Sequence, residues 1–489
     1  MRSSTSARGH DRQRPPPDRA DGGGHYGSAV PLVMGVASLA ATTRVEVRDA
    51  DGGALIATGT ATSPGATAGA KEQHVEAWWD GFVDAVAAAG VTADVAGLAV
   101  AAQRSALVLL DPAGAPLGPA SLRTDPRAAA TAEELVARFK ADKLARATGQ
   151  VPRSDTPLAR LAWRLATEPD VASSVASVLG AADLVTARLT GRQVTDRAGA
   201  SCTGWWDPVA GRWRSDLLER AVRPAPPAGW PSTLPVVLRP AEPADWVSAS
   251  VHGVVGLGGR PLVAAGTADI AARALAAAVT PGTAAALLDD HDPVVVAGTG
   301  TPVADPHGRV IGLADAAGNH LPTVAIAPLG RALDGIARLL GTDAAGLAAR
   351  AATGAAERGG RPPRPILLPA RPGGASSRPS GRPGAAIGLD GDTTGPELAW
   401  AALLGAGAEI VEALDALSAA GGGDPDDAPL MLAGVVARRP GLAAAVAELT
   451  GREVIVARAG GPATGACVQA AAALHDAAPL EVAAAWGLD

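Results

Sequence analysis

From Pro31 onward, short apolar runs alternate with longer stretches of helical spacing, an alternation that leads to an α/β fold with strands buried under helices. Leu32 to Leu39, Arg44 to Arg48 and Val95 to Ala102 read as strands. Glu76 to Ala89 carries apolar residues at helical spacing between them. The run Asp49-Ala50-Asp51-Gly52-Gly53 supplies a turn by its Asp and Gly content. Arg127 to Ala147 and Leu158 to Ala166 predict helices. Further strands are predicted at Pro261 to Ala265, Pro293 to Ala297, Val310 to Leu313, Thr323 to Ala327, Pro365 to Leu368, Leu430 to Leu432 and Val454 to Val456.

Residues 1–29, rich in Arg, Pro, Ser, Gly and Asp without apolar periodicity, read as a disordered tail. The apolar stretch Val30 to Ala41 imitates the core of a secretory signal, but Asp11, Asp18 and Asp21 precede it, and a buried first strand is the better reading. No run reaches the ~18 apolar residues that span a bilayer. Seven prolines within 222–243 mark a candidate connection between two lobes, and the Gly, Pro, Arg and Ser of 355–386 a long surface loop.

Charge excludes one large class of partner. With 42 Lys and Arg against 49 Asp and Glu, the net charge of −7 offers phosphate backbones no general basic face, so small molecules are expected rather than nucleic acid or membrane. Two cysteines, Cys202 and Cys467, are too few for a disulfide framework or a zinc site and favour a cytoplasmic location. Lysine occurs only at 71, 140 and 143 and aromatics make up 3%, a residue usage typical of a GC-rich genome.

Three glycine-bearing segments suggest nucleotide handling, each with a plainer reading. Gly298-Thr299-Gly300-Thr301 follows a buried strand and could offer amides and hydroxyls to phosphate, or simply turn the chain. Asp269, ending Gly266-Thr267-Ala268-Asp269 and opening a helix, is either a helix cap or a general base at the mouth of a cleft. Gly434, and the Gly460 to Gly465 segment opening the last helix, would let a flat ring lie on the backbone or let helices pack closely. Trp205 and Trp206 could stack on a sugar or pack a lobe. The eight histidines lie scattered, and no metal site is expected.

Taken in order, these segments resemble the FGGY carbohydrate kinases, nearest to the xylulokinase-like and glycerol-kinase-like members, over about residues 32 to 478. The first family signature is matched by Pro157-Leu158-Ala159-Arg160-Leu161-Ala162-Trp163, with Arg160 for the usual Lys. The second is matched by Gly384 to Leu389 with Glu397 to Leu403. The resemblance implies two ribonuclease-H-like lobes of the actin-like ATPase kind around a central cleft, an N-terminal sugar-binding lobe at 30–255 and a C-terminal nucleotide-binding lobe at 256–489. It implies ATP and Mg2+ as cofactors and a sugar or polyol as substrate, and leaves a homodimer open. Asp269 falls on the family's catalytic base, Gln103 and Arg104 on its substrate strand, Gly298 to Thr301 on its second phosphate loop, and Gly434, Gly461 and Gly465 on its adenosine pocket.

The first phosphate loop departs from the family pattern. Ala37 stands for an Asp that helps organise the metal, and Leu39 for a Gly that lets the hairpin approach phosphate. Two expectations follow: a sugar or polyol kinase with an atypical hairpin, or a relative that binds carbohydrate, nucleotide or a partner without phosphoryl transfer.

Overall fold

The computed structural model describes residues 30–488 apart from 64–69, 92–93, 224–233, 258, 291, 358, 360, 362, 371–382, 424–427 and 458–459. The expected tail, much of the proline-rich segment and the middle of the 355–386 loop lie outside the described residues.

The first sheet is built on β1 (Leu32–Ser38), β2 (Thr42–Asp49), β3 (Leu55–Thr62) and β4 (Val95–Ala102), extended by β5 (Pro243–Trp246), β6 (Leu262–Ala264) and β7 (Thr267–Ala268). Its order is β5-β6-β4-β1-β2-β3, with β7 beside the far end of β4. β1 pairs antiparallel with β2, Ala37 opposite Arg44, and parallel with β4. The first sheet thus runs past residue 255, where the second lobe was expected to start, because β6 and β7 bond to β4.

The second sheet comprises β8 (Ala284–Leu287), β9 (Val294–Ala297), β10 (Ile311–Ala314), β11 (His320–Ala325), β12 (Leu430–Ala433) and β13 (Val454–Val456), in the order β10-β11-β9-β8-β12-β13. The two sheets share one topology. β8 pairs antiparallel with β9 and parallel with β12, as β1 does with β2 and β4. The connection between β8 and β9, described at 288–290 and 292–293, is therefore the counterpart of the turn at 39–41 between β1 and β2.

Helices cover both sheets: α1 (Glu76–Ala89), α2 (Ala129–Phe139), α3 (Ala141–Thr148), α4 (Pro157–Thr167), α5 (Ala181–Thr190), α6 (Arg197–Ser201), α7 (Asp269–Ala276), α8 (Gly395–Ala419) and α9 (Pro462–His475). In α1, Trp78, Phe82 and Ala85 recur at three- and four-residue spacing and are fully buried, and Gly90 ends the helix at φ +63. Truncating Phe82 to Ala would cost about 3–5 kcal/mol. The predicted single helix from 127 to 147 is two, because Lys140 turns to φ +71 between α2 and α3.

The alanine-rich composition has its structural use in α9, which lies against β1 and β4 with Ala466, Ala470, Ala471 and Ala472 wholly buried. The approach is close. A Cβ on Gly35 of β1 would stand 2.0 Å from the Ala463 carbonyl, and one on Gly465 would stand 1.9 Å from the Ala272 carbonyl of α7.

Candidate active site

The carboxyl ends of the parallel strands β1, β4 and β7 converge, which is where open α/β sheets place their ligands. Ser38 and Leu39 leave β1, Gln103 and Arg104 leave β4, and Asp269 follows β7 directly. The Gln103 amide donates to the Ser38 carbonyl at 3.1 Å, fixing two of these ends together.

Asp269 is the first residue of α7, but its carboxylate does not cap that helix. Oδ1 accepts the backbone N–H of Arg104 at 2.9 Å, so the side chain turns toward the first-lobe strand ends. Among the described residues, no hydrogen bond to Oδ2 is seen. Burial pushes the Asp269 pKa up; the Asp292 charge adds to this, while Arg273 and Arg104 oppose it. Such a carboxyl is suited to take a proton.

Arg104 does not point at open solvent. Its Nε and Nη2 donate to the two carboxylate oxygens of Asp292 at 2.9 and 3.1 Å, and Arg123 Nη2 lies 3.0 Å from the same group. Asp292 stands in the turn between β8 and β9, so the second lobe reaches across the cleft into the first. Although burial works the other way, Arg104, Arg123 and Arg273 hold its carboxyl well below the usual range. The sequence reading missed Arg123, Arg273 and Asp292. The available signal was Asp289, Asp290 and Asp292 crowded into one turn between two apolar strands.

A pocket opens beside Gln103 and Arg104, walled by Leu107, Val178 and Leu179 and reaching Asp183, Trp205 and Trp213. The Gln103 Oε1 and Trp205 Nε1 atoms there are buried without a hydrogen-bond partner among the described residues. Trp205 is 2% and Trp206 1% exposed, so both pack the lobe, and Trp205 also lines this pocket. A second space lies between the lobes, lined by Arg104, Arg153, Asp155, Gly308 and Val310.

Gly298, Thr299, Gly300 and Thr301 are not brought to Asp269. They follow β9 at the end opposite Asp292, a four-residue strand away, which is roughly 13 Å of extended chain. Three of their four amides are already engaged: the Gly298 amide donates to the Thr283 carbonyl, Thr299 and His320 exchange backbone bonds at 3.1 and 2.9 Å, and the Thr301 amide donates to Thr299 Oγ1 at 3.2 Å. The sheet end takes two of the amides expected to cradle phosphate, and the loop itself takes a third.

Gly434 does lie near the cleft turn. At φ +101, a Cβ on it would stand 2.5 Å from the Leu288 carbonyl and 2.8 Å from Asp289 Oδ1, and Val435 beside it is 65% exposed. Gly461 and Gly465 open α9 against α7 and the first sheet, where Gly465 serves close packing. At the first hairpin Ala37 is buried in β1, and the Leu39 amide donates to Thr42 at 2.9 Å, closing the turn on itself.

Two lobes built on matched sheets, with a buried carboxylate where the first lobe's strand ends meet, are the arrangement of the actin-like phosphotransferase class. The FGGY family of carbohydrate kinases, N-terminal domain, matches residues 40–276, a span that ends with α7 and includes β6 and β7. The chain is 34% identical over 460 residues to a xylulose kinase of Streptomyces rubiginosus, covering 93% of this chain and 91% of the relative. A xylulose kinase of Streptomyces coelicolor is likewise 34% identical over 459 residues, with the same coverage. Among solved structures, the xylulose kinase from Rhodospirillum rubrum superposes with a TM-score of 0.81 at 25% identity over 93% of this chain and 92% of that one. The xylulose kinase from Bifidobacterium adolescentis gives 0.78 at 25% identity over 91% and 93%. The chain belongs to the FGGY family of carbohydrate kinases. It is a sugar kinase with the actin-like two-lobed fold.

Proposed function

We propose that the chain transfers the γ-phosphoryl group of ATP to a hydroxyl of a neutral sugar or polyol, a ketopentose such as the xylulose named for its relatives, with Asp269 as general base. The observation that carries this reading is the placement of Asp269: buried, at the junction of three strand ends, with one oxygen held by the Arg104 amide and the other left for a substrate hydroxyl. The hydroxyl oxygen attacks the γ-phosphorus as its proton passes to Asp269. The new O–P bond forms as the bond to the β-phosphate oxygen breaks, and its electron pair leaves with ADP. Gln103 and the pocket beside it support a place for the sugar, while Gly434 and the exposed Val435 support a place for adenosine.

Magnesium belongs to this proposal as the partner of the ATP phosphates. The residues present do not form a cage for it: among the described residues no group of three His, Cys, Asp or Glu is placed to hold a metal, and Ala37 offers no carboxylate. Phosphate oxygens and water would supply its ligands. Two free, buried cysteines suit a reducing cytoplasm, and the net charge of −7 suits small-molecule partners rather than nucleic acid; a homodimer remains part of the proposal for sedimentation to check.

The test is ADP release from MgATP across a panel of ketoses, polyols and aldonates. Asp269→Asn is expected to lower turnover by about 10²–10⁴ while leaving the stabilisation of the fold by ATP in place. Wild-type turnover no higher than that of the variant on every sugar would sink the proposal.

A further inference from the structure

Arg104 and Arg123 form a seat for a carboxylate, and the protein itself fills it. The fork of Arg104 meets Asp292 with two nitrogens on two oxygens, and Arg123 adds a third donor. This is the arrangement by which a protein recognises a carboxylate ligand. It lies next to the proposed base, since the Arg104 peptide is the one bonded to Asp269.

Asp292 is fixed there rather than passing through. Arg273 Nη1 and Nη2 hold its backbone carbonyl at 3.2 and 3.1 Å, and the same guanidinium pairs with Asp289 of the same turn at 2.9 Å. The charges balance: Arg104, Arg123 and Arg273 face Asp269, Asp289 and Asp292. Arg104 is the member of this cluster that lines the pocket beside Gln103, so a sugar reaching from that pocket to Asp269 would meet the Arg104–Asp292 pair, guanidinium donors beside a carboxylate acceptor. Hydroxyls, which both donate and accept, suit such a surface, whereas a sugar carboxylate only accepts and would meet Asp292 as a like charge.

We infer that Asp292 is the residue that makes this cleft select neutral ketoses and polyols and reject sugar acids. The inference rests on reading the cleft as the sugar site, and goes beyond it in assigning the selection to a turn of the opposite lobe. Without Asp292 the two first-lobe arginines would stand unpaired and recruit an anionic sugar.

The test is calorimetric binding without ATP, using xylulose, xylonate and inorganic phosphate with wild type and Asp292→Asn. Wild type is expected to bind xylulose about tenfold or more tighter than xylonate, and the variant to bind xylonate about tenfold or more tighter than wild type does, with xylulose weakened. If thermal melting shows that the variant is unfolded, Asp292→Asn with Arg123→Gln leaves one unpaired guanidinium instead of two, and a smaller gain of the same sign is expected. Xylonate affinity within about twofold of wild type in the folded variant overturns the inference. So does a gain for phosphate alone, or a wild type that binds xylonate as tightly as xylulose. A wild type that binds xylulose but transfers no phosphoryl group removes the kinase proposal and leaves this one standing; one that binds no sugar removes both.

Discussion

Arg160 holds three backbone carbonyls at once from a fully buried position. Its Nη1 donates to Ser121 at 2.6 Å, and its Nη2 donates to Asp155 at 3.1 Å and to Ser105. Burial pushes its pKa down to about 10, which still leaves it cationic at neutral pH. Ser105, next to Arg104, sits at φ +60, a conformation that costs a non-glycine residue on the order of 1 kcal/mol or more and persists only where neighbours enforce it. The composition invites the reading that Arg160 for Lys is drift toward GC-rich codons. The structure makes it a positioning residue, because one planar fork reaches loops that a single ammonium cannot span together. Arg160→Lys should lower stability by about 1–3 kcal/mol and raise the KM for sugar more than it lowers kcat, as the Arg104 and Asp155 loops loosen. Melting curves and initial rates decide it; an unchanged melting temperature would return Arg160 to drift.

Strands and helices were legible wherever one period ruled. The helix over 76–89 and the strands over 95–102 and 454–456 coincide with their sequence readings, and most others shift by a residue or two. The break at Lys140 was not legible, since no glycine announces it. Nor was the cleft turn: Asp289, Asp290 and Asp292 look like an ordinary solvated turn until Arg104, 188 residues away in sequence, is brought to them. Gly298 to Thr301 drew attention by composition, yet hydrogen bonding at a sheet end and within the loop spends three of the four amides.

Helix starts carry a further consequence, for pH. Asp196 begins α6 and accepts the Gly199 amide at 2.7 Å, and Asp183 in α5 accepts the Gly180 amide at 2.8 Å. Burial outweighs these bonds and pushes Asp196 up to about 7 and Asp183 up to about 6. Unfolded, both would titrate near ~3.9. Between those limits these two carboxyls bind more protons in the folded chain than in the unfolded one, so their contribution to stability falls as pH rises from about 4 to about 7 and then levels; His320, which burial pushes down to about 4, opposes it in part. Urea unfolding should find the wild type more stable at pH 5.5 than at pH 8. Asp196→Asn, which still caps the helix, should reduce that difference by on the order of 1 kcal/mol. Equal slopes for the two proteins would show that Asp196 is not buried as described.

At the scale of the whole molecule, the lobes are joined in two chemically different ways. Across the cleft the join is ionic, Arg104 and Arg123 on Asp292. At and just before the edge strand β10 it is a seam of hydrogen bonds to main-chain groups: the Gly312 amide donates to the Gly149 carbonyl at 2.7 Å, the Ala314 amide donates to Ser201 Oγ at 3.0 Å, and Arg153 Nη1 donates to the Gly308 carbonyl at 3.1 Å. An edge strand left bare would invite pairing with another chain, so covering it protects the molecule as well as tying it together. Ligands compete with ions for a guanidinium but not with a backbone amide for a backbone carbonyl, so the Gly312–Gly149 bond at the centre of the seam should persist while the cleft side exchanges partners. Gly149 is the seam's tightest point. It ends α3 at φ +73, and a Cβ there would stand 2.1 Å from the Gly312 carbonyl. Gly191 ends α5 at φ +77 with nothing within 4 Å of the same atom, so it isolates the cost of the left-handed backbone. Gly191→Ala should then cost about 1 kcal/mol and leave turnover intact. Gly149→Ala must in addition push the second lobe's edge strand away, and should cost about 3 kcal/mol or more while changing the sugar KM through the relative placement of the lobes. Equal losses of stability in the two variants would mean that the seam yields freely and that the cleft ion pairs alone hold the lobes in register.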